Sequence, residues 1–163
     1  MGKTIPLTKN YSTIVDDEDY EWLSQWEWCA LDSSATGVVY ASRGQWNPLS
    51  KKVEAIAMHR LILDAPSDIT VDHRDGNGLN NRRSNLRLAT RQQQAINRGI
   101  RLDNKSGYKG VYWLKTSENK GKWRAQIKVD GKRLSLGLFN DIEEATKAYE
   151  KAAEKYYGEW RRI

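Results

Sequence analysis

Apolar positions change their period several times along this chain, and each change marks an element. TIPLT (4–8) and STIVD (12–16) alternate loosely, as half-buried strands do. DDEDYEWLSQ (16–25) switches to helical grammar, with Asp16 or Asp17 as the N-cap, acids in the first turn, and Trp22 and Leu23 to bury. WEWCAL (26–31) and GVVYASR (37–43) predict antiparallel strands joined by the turn-rich DSSAT. AIAMHRLILD (55–64) predicts a strand running into a helical turn, which Pro66 stops. ITVDH (69–73) is a short strand. ATRQQQAINRG (89–99) is a helix with Thr90 as N-cap and Gly99 as its stop.

RLDNKSG (101–107) has no apolar period and reads as a linker, and beyond it the pattern is different. YKGVYWL (108–114), KWRAQIKVD (122–130) and KRLSLGLF (132–139) predict three antiparallel strands, the last two joined by the two-residue turn Asp130-Gly131. In DIEEATKAYEKAAEKYYG (141–158), Ala145, Ala148, Tyr149, Ala152 and Ala153 share one helical face that would pack on that sheet. The expected fold is therefore α+β in two domains, residues 1–99 and 107–163, with a linker at 100–106.

Charge narrows the partner. The net charge of +6 favours a polyanion, nucleic acid first. No apolar run approaches the roughly 18 residues that a membrane span needs. MGKTIPLTKNYSTI lacks the apolar core of a signal peptide, which predicts an intracellular chain. No obligate protein partner is evident. The single cysteine, Cys29, excludes an intramolecular disulfide and a Cys-based zinc finger; its neighbours Trp26, Trp28 and Ala30 predict a buried thiol.

The candidate chemistry lies in VDHRDGNGLNNRRSNLRLAT (71–90). There an aspartate precedes a histidine, and Gly76, several asparagines and a cluster of arginines follow. A carboxylate at Asp72 can hold a divalent metal, the adjacent His73 imidazole can activate water, and arginines can hold phosphates. An isolated Asp-His pair at a strand end is ordinarily only surface; the wider set of Asn77, Asn80, Asn81, Asn85, Leu86 and Arg87 makes it specific. Arg60, Arg74, Arg82, Arg83, Arg87 and Arg91 then read collectively as backbone clamps. His59, in an apolar stretch, reads as a packed, hydrogen-bonded histidine.

Residues 57–99, from MHRLIL through DHRDGNGLNNRRSNLR to the Asn97 helix, resemble the HNH homing endonucleases of phages and mobile introns. The lead-in VDDEDYEWLSQWEWCA…YASR is also similar to the region that often precedes the motif in phage members. The resemblance implies a ββα-metal fold, one divalent ion (Mg2+ or Mn2+), Asp72 as metal ligand and His73 as general base. It makes Asn85 the central asparagine that ties the loop together and helps orient His73. The third position, usually Asn or His, falls on Gln94, which offers the same amide oxygen one methylene further out. Asn97 lies one helical turn on. The expected setting is the cytoplasm of a bacterial or phage-infected host cell.

Residues 107–158 resemble the ethylene-response-factor-type (APETALA-type) DNA-binding domain through YKGVYW, KWRAQI, LGLF and EEATKAYEKAAEKYYG. In that family a three-stranded sheet lies in the major groove. Charge supports this independently: residues 103–140 carry nine Lys or Arg against three acids, so the sheet is the positive face. Alternation puts Trp123, Ala125 and Ile127 on one side and Arg124, Gln126 and Lys128 on the other. The latter three, joined by Lys109, Lys115 and Arg133, form the expected DNA-facing set. Lys109 and Tyr112 stand where plant members carry arginine, so base specificity does not carry over.

Together these features predict a site-directed endonuclease acting on double-stranded DNA, of homing type and nicking one strand. It would hydrolyse the phosphodiester to 5′-phosphate and 3′-hydroxyl. The alternative is a non-cleaving, sequence-specific DNA-binding regulator with a degenerate metal site.

Overall fold

The computed structural model describes residues 2–33, 37–101, 103–115 and 121–161. It divides into two compact units, Met1–Arg98 and Gly99–Ile163. Most of the DSSAT turn (34–36) lies outside the described residues, as do Glu118 and Lys120.

The first unit opens with an antiparallel hairpin, β1 (Gly2–Pro6) and β2 (Ser12–Asp16), followed by α1 (Asp17–Leu23). Asp16 sits at the N-cap but makes no side-chain cap; its Oδ2 accepts the backbone N–H of Arg83 at 2.7 Å, which ties the hairpin to the motif loop. A three-stranded antiparallel sheet follows, β3 (Cys29–Asp32), β4 (Val39–Asn47) and β5 (Lys52–Ala57), with β4 in the middle. The strand expected at 37–43 thus runs on to Asn47. β5 leads directly into α2 (Met58–Ile62), as the apolar run 55–64 predicts. β6 (Thr70–His73) and β7 (Leu86–Ala89) form a second hairpin, and α3 (Arg91–Asn97) ends the unit.

One core joins these elements. Val15, Leu23, Ala41 and Met58 are completely buried among Ile5, Trp28, Ile62, Val71 and Leu86. Leu23 and Met58 each contribute about 2 kcal/mol by removal from water. The expected burial of Cys29 is corrected: the thiol is exposed. Trp28 and Ala30 on either side are buried, and strand alternation turns the residue between them to the opposite face. At α3, Thr90 Oγ1 accepts from Gln93 N while the Gln93 side chain accepts from Thr90 N, a capping box that contributes about 1 kcal/mol.

In the second unit, β8 (Val111–Trp113), β9 (Trp123–Val129) and β10 (Lys132–Phe139) form an antiparallel sheet in the order β10-β9-β8, with α4 (Ile142–Tyr157) packed against it. Ala145, Ala152 and Ala153 of α4 meet Val111, Ala125 and Ile127, small residues letting helix and sheet approach closely. The β9–β10 turn has positive φ at both Asp130 (47°) and Gly131 (80°), the twist-matched turn that an Asp-Gly pair favours. Gly110 is required where it stands. Its φ is +65°, and a Cβ there would lie 2.3 Å from the Tyr149 ring and 2.4 Å from Gln126 O. Within the expected linker, Asn104 Oδ1 accepts the N–H groups of Ser106 and Gly107, so this stretch is a built turn. No helix among the described residues is long and apolar enough to cross a membrane.

Candidate functional site

Asp72 and His73 end β6, and both are buried, at 6% and 5% exposure. Asp72 lies directly opposite Arg87 in the β6–β7 register, and Arg87 Nε donates to Asp72 Oδ2 at 2.9 Å. The amide of Asn97 arrives from α3. Its Nδ2 donates to Asp72 Oδ1 (3.1 Å), Asp72 Oδ2 (3.0 Å) and the carbonyl oxygen of His73 (2.7 Å). Asn97 Oδ1 is buried with no hydrogen-bond partner. A carboxylate beside an unsatisfied amide oxygen is a hard-oxygen donor set of the kind Mg2+ and Mn2+ select. Gln94, the residue singled out by spacing, sits half-buried on the same helix; the α3 side chain that meets Asp72 is Asn97, one turn later.

A chain of hydrogen bonds fixes the His73 tautomer. Thr13 Oγ1 donates to Leu79 O at 2.8 Å, which leaves the threonine oxygen to accept from Asn81 Nδ2 at 2.7 Å. The Asn81 amide is thereby turned so that Oδ1 faces His73 Nε2 at 3.0 Å. An amide oxygen only accepts, so Nε2 carries the hydrogen and Nδ1 keeps the lone pair. Burial pushes the His73 pKa below the usual imidazole value, against the opposing effects of Asn81, Asp75 and Asp72. His59 packs edge-on against this ring with centroids 5.1 Å apart, and Tyr40 lies 5.8 Å away. His59 is packed as expected, but its Nδ1 is buried without a hydrogen-bond partner. Burial, with the charges of His73 and Arg60, takes its pKa down to about 3.

Asn85 organises the loop between the strands. Its Nδ2 donates to Asp75 Oδ1 (2.9 Å) and Asn80 O (2.7 Å), and its Oδ1 accepts from Asp75 N (3.1 Å). The side chain that holds the His73 ring is Asn81. Burial raises the Asp75 carboxyl, but hydrogen bonds from Asn80, Asn77 N and Asn85 outweigh it and hold the pKa below the usual value. Gly76 takes φ of 70° in this turn.

The six arginines around the motif divide, and the clamp role expected of Arg60 is corrected: its guanidinium donates to the backbone oxygens of Ala65, Pro66 and Ile69. Arg74, Arg82 and Arg91 are exposed. Arg87 is buried against Asp72, and Arg83 grips Asp19 through Nε (2.8 Å) and Nη2 (2.7 Å), so these two are engaged within the unit. The sequence offers Asn81 only as part of the wider asparagine set, with no role at His73, and does not point to Tyr40 at all. The adjacent Asn80-Asn81 pair was a signal for the first, since two amides in one turn exceed what the turn itself uses. Tyr40 is 33 residues upstream and gave none.

On the second unit's sheet, Ala125 and Ile127 are buried against α4, while Arg124 and Lys128 are exposed and Gln126 is half-buried on the opposite face. Register adds Tyr112 and Leu138 beside Arg124, Ser135 beside Gln126, and Arg133 directly opposite Lys128. Like charges opposite one another destabilise a sheet, so a Lys–Arg pair is better suited to a polyanion than to the fold. The Tyr112 hydroxyl is buried without a hydrogen-bond partner, and burial raises its pKa. Trp113 is exposed and packs edge-on against Trp123 at 5.0 Å. Lys115 is exposed and Lys109 half-buried.

Comparison with known proteins agrees with both halves. Residues 64–96 match the HNH endonuclease family and residues 106–159 match the AP2 domain. The chain is 38% identical over 119 residues to "Uncharacterized HNH endonuclease L560" of Acanthamoeba polyphaga mimivirus, which covers 69% of this chain and 59% of that protein. It is 31% identical over 98 residues to "Protein 3.8" of Escherichia phage T7, which covers 60% of this chain and 78% of that one. The aligned region thus spans less than two thirds of the mimivirus relative.

Proposed function

Because residues 64–96 match the HNH endonuclease family and residues 106–159 match the AP2 domain, we propose that the chain is a site-directed, homing-type DNA endonuclease that nicks one strand. One observation carries this reading above the rest. The Thr13–Asn81 relay presents an amide oxygen to His73 Nε2, which leaves the lone pair on Nδ1, and burial lowers the pKa and so favours the neutral ring that a general base requires.

In the proposed reaction, Nδ1 takes a proton from water, the oxygen attacks phosphorus, and the bond to the 3′ oxygen breaks, the departing oxygen taking its proton from solvent water. The products are a 5′-phosphate and a 3′-hydroxyl. Asp72 and the amide oxygen of Asn97 would hold a divalent ion, with Gln94 the next donor on the same helix. When bound, that ion stabilises charge on the phosphate and the departing oxygen. Arg74, Arg82 and Arg91 hold backbone phosphates. The AP2 sheet chooses the site through Arg124, Gln126, Lys128 and Arg133, with Lys109 and Lys115 on the backbone.

The test is supercoiled plasmid incubated with Mg2+ or Mn2+. Relaxed circles are expected, with the rate falling at least about 100-fold in His73→Ala, the usual loss for a general base. Relaxation at an unchanged rate in that variant would remove His73 from the reaction. A second reading, a non-cleaving DNA-binding regulator, is favoured by the Asp72 carboxylate already neutralised by Arg87 and by the deep burial of His73. Retardation of specific duplexes without relaxed circles in either metal would decide for it.

A further inference from the structure

β3 pairs with β4 only from Val39 to Ser42, whereas β4 continues to Asn47 paired with β5 alone. Residues 43–47 and 52–56 therefore form a two-stranded ribbon whose residues are all exposed or half-buried. Such a ribbon is marginal by itself, yet its tip is closely built. Asn47 Oδ1 accepts the N–H groups of Leu49 (2.9 Å) and Ser50 (3.2 Å). Asn47 Nδ2 and Ser50 Oγ both donate to Glu54 Oε1 at 2.8 Å. Lys51 completes the turn with φ of 52°.

This shaped tip displays apolar side chains to solvent. Leu49 is 93% exposed, Val53 68% and Trp46 60%; Trp46 and Val53 are directly opposed across the strands and so share a face. The absent Cβ of Gly44 leaves room for Val53, whose Cγ1 would lie 2.9 Å from it. Lys51 and Lys52 flank the cluster, and the only acid on the ribbon, Glu54, is already used by Asn47 and Ser50. Exposed clusters of large apolar residues mark a docking surface. The base of the ribbon identifies what docks. Tyr40 on β4 and His59 just after β5 both pack on His73, so the ribbon extends directly from the imidazole that would face the scissile phosphate. From Tyr40 to Asn47 it reaches roughly 20 Å at about 3.3 Å per residue. A two-stranded ribbon fits the major groove, and apolar side chains there meet thymine methyls and base edges.

We propose that the β4–β5 ribbon is a second DNA-docking arm, separate from the AP2 domain, which lies in the duplex groove beside the cleavage site. Leu49 and Trp46 press on base edges, and Lys51 and Lys52 hold the flanking phosphates. The assignment rests on the reading that this protein acts on DNA, but not on its cleaving it.

The test uses the full chain in EDTA and a fluorescein-labelled 40-base-pair duplex of mixed sequence, followed by anisotropy. Trp46→Ser/Leu49→Ser is expected to bind about tenfold more weakly, the loss typical of one stacked or packed aromatic. Its melting temperature should match wild type, because neither side chain is in the core. Lys51→Ala/Lys52→Ala is expected to flatten the salt dependence by up to about two counterions. Wild-type affinity in both variants overturns the proposal. So does sedimentation showing that Trp46→Ser/Leu49→Ser abolishes self-association while DNA affinity holds, which would make a second copy the occupant. Plasmid nicking is scored in parallel. A protein that binds but never nicks, and loses affinity in the ribbon variants, retains the arm and loses the nuclease reading; one that nicks with ribbon variants of normal affinity does the reverse.

Discussion

Both units carry clusters of basic residues, and they spend them differently. In the nuclease half, Arg87 is sealed against Asp72 and Arg83 is clamped on Asp19, so part of the positive charge around the motif goes into holding carboxylates in place. In the AP2 half, none of Arg124, Lys128 and Arg133 makes an ion pair among the described residues, and Lys128 faces Arg133 across the sheet. The first arrangement costs affinity and gains geometry. The second does the opposite, since unneutralised charge on an open sheet binds polyanions without fixing any atom to a fraction of an ångström. On the proposed reading, cleavage needs placement and site choice needs grip, and the two tasks fall to different units.

The largest effect that would break this contrast concerns the buried pair. Among the described residues, Arg87→Leu leaves the buried Asp72 carboxylate with the Asn97 amide as its side-chain donor, and breaking a buried ion pair from one side costs about 3–5 kcal/mol. Urea unfolding should show that loss in the first unit and none in the second. Adding Asp72→Asn removes the stranded charge and should restore most of the stability. If Arg87→Leu is neutral, the pair is not organising the site, and the division between placing and gripping charges fails.

How far this contrast was legible in the sequence depends on whether it arises locally. The Thr90 cap, the Asp130-Gly131 turn and the alternation of KWRAQIKV are local, and each appears in the structure as the pattern predicts. Asp72 and His73 could be singled out because the chemistry sits on adjacent residues. The identity of their neighbours could not. Asn81 reaches His73 only because Thr13, 68 residues earlier, fixes its amide, and Asn97 meets Asp72 across 25 residues. The ribbon tip escaped for the opposite reason. QWNPLSKKVE has neither a tight two-residue turn signal nor a core face, and its order comes from side-chain bonds around Asn47.

A smaller effect sharpens the comparison through pH. Both histidines, His59 and His73, are in the first unit, and both have pKa values below the 6.5 of an unfolded imidazole, His59 at about 3. The unfolded chain therefore binds more protons than the folded one below pH 6.5, so their contribution is complete above 6.5 and is lost as pH falls towards the folded values. In EDTA, the melting transition of the first unit should move down steadily between pH 7 and pH 5 while that of the second, which has no histidine, stays nearly constant. His59→Phe should flatten part of that slope. Parallel shifts in both units would mean that the carboxylates govern the window and that the imidazoles are not held neutral by burial.

The smallest effect is the one that separates grip from placement. Arg124→Ala and Lys128→Ala each remove a charge on the open face of the AP2 sheet and leave the core packing intact, because both side chains are exposed. If each touches one phosphate, the slope of log affinity against log salt should become shallower by about one per substitution, with affinity falling similarly on every duplex. If Arg124 instead reads a guanine edge, its loss should relax discrimination between duplexes by about 1–3 kcal/mol and leave the slope nearly unchanged. The register favours different outcomes for the two. Arg124 is bracketed by the uncharged Tyr112 and Leu138 and so stands singly, whereas Lys128 stands opposite Arg133 and adds to a pair of like charges. Plasmid relaxation by either variant at saturating DNA should proceed at the wild-type rate, because neither residue is in the unit that holds His73; a fall in that saturated rate would place the sheet in the chemistry and end the division of labour.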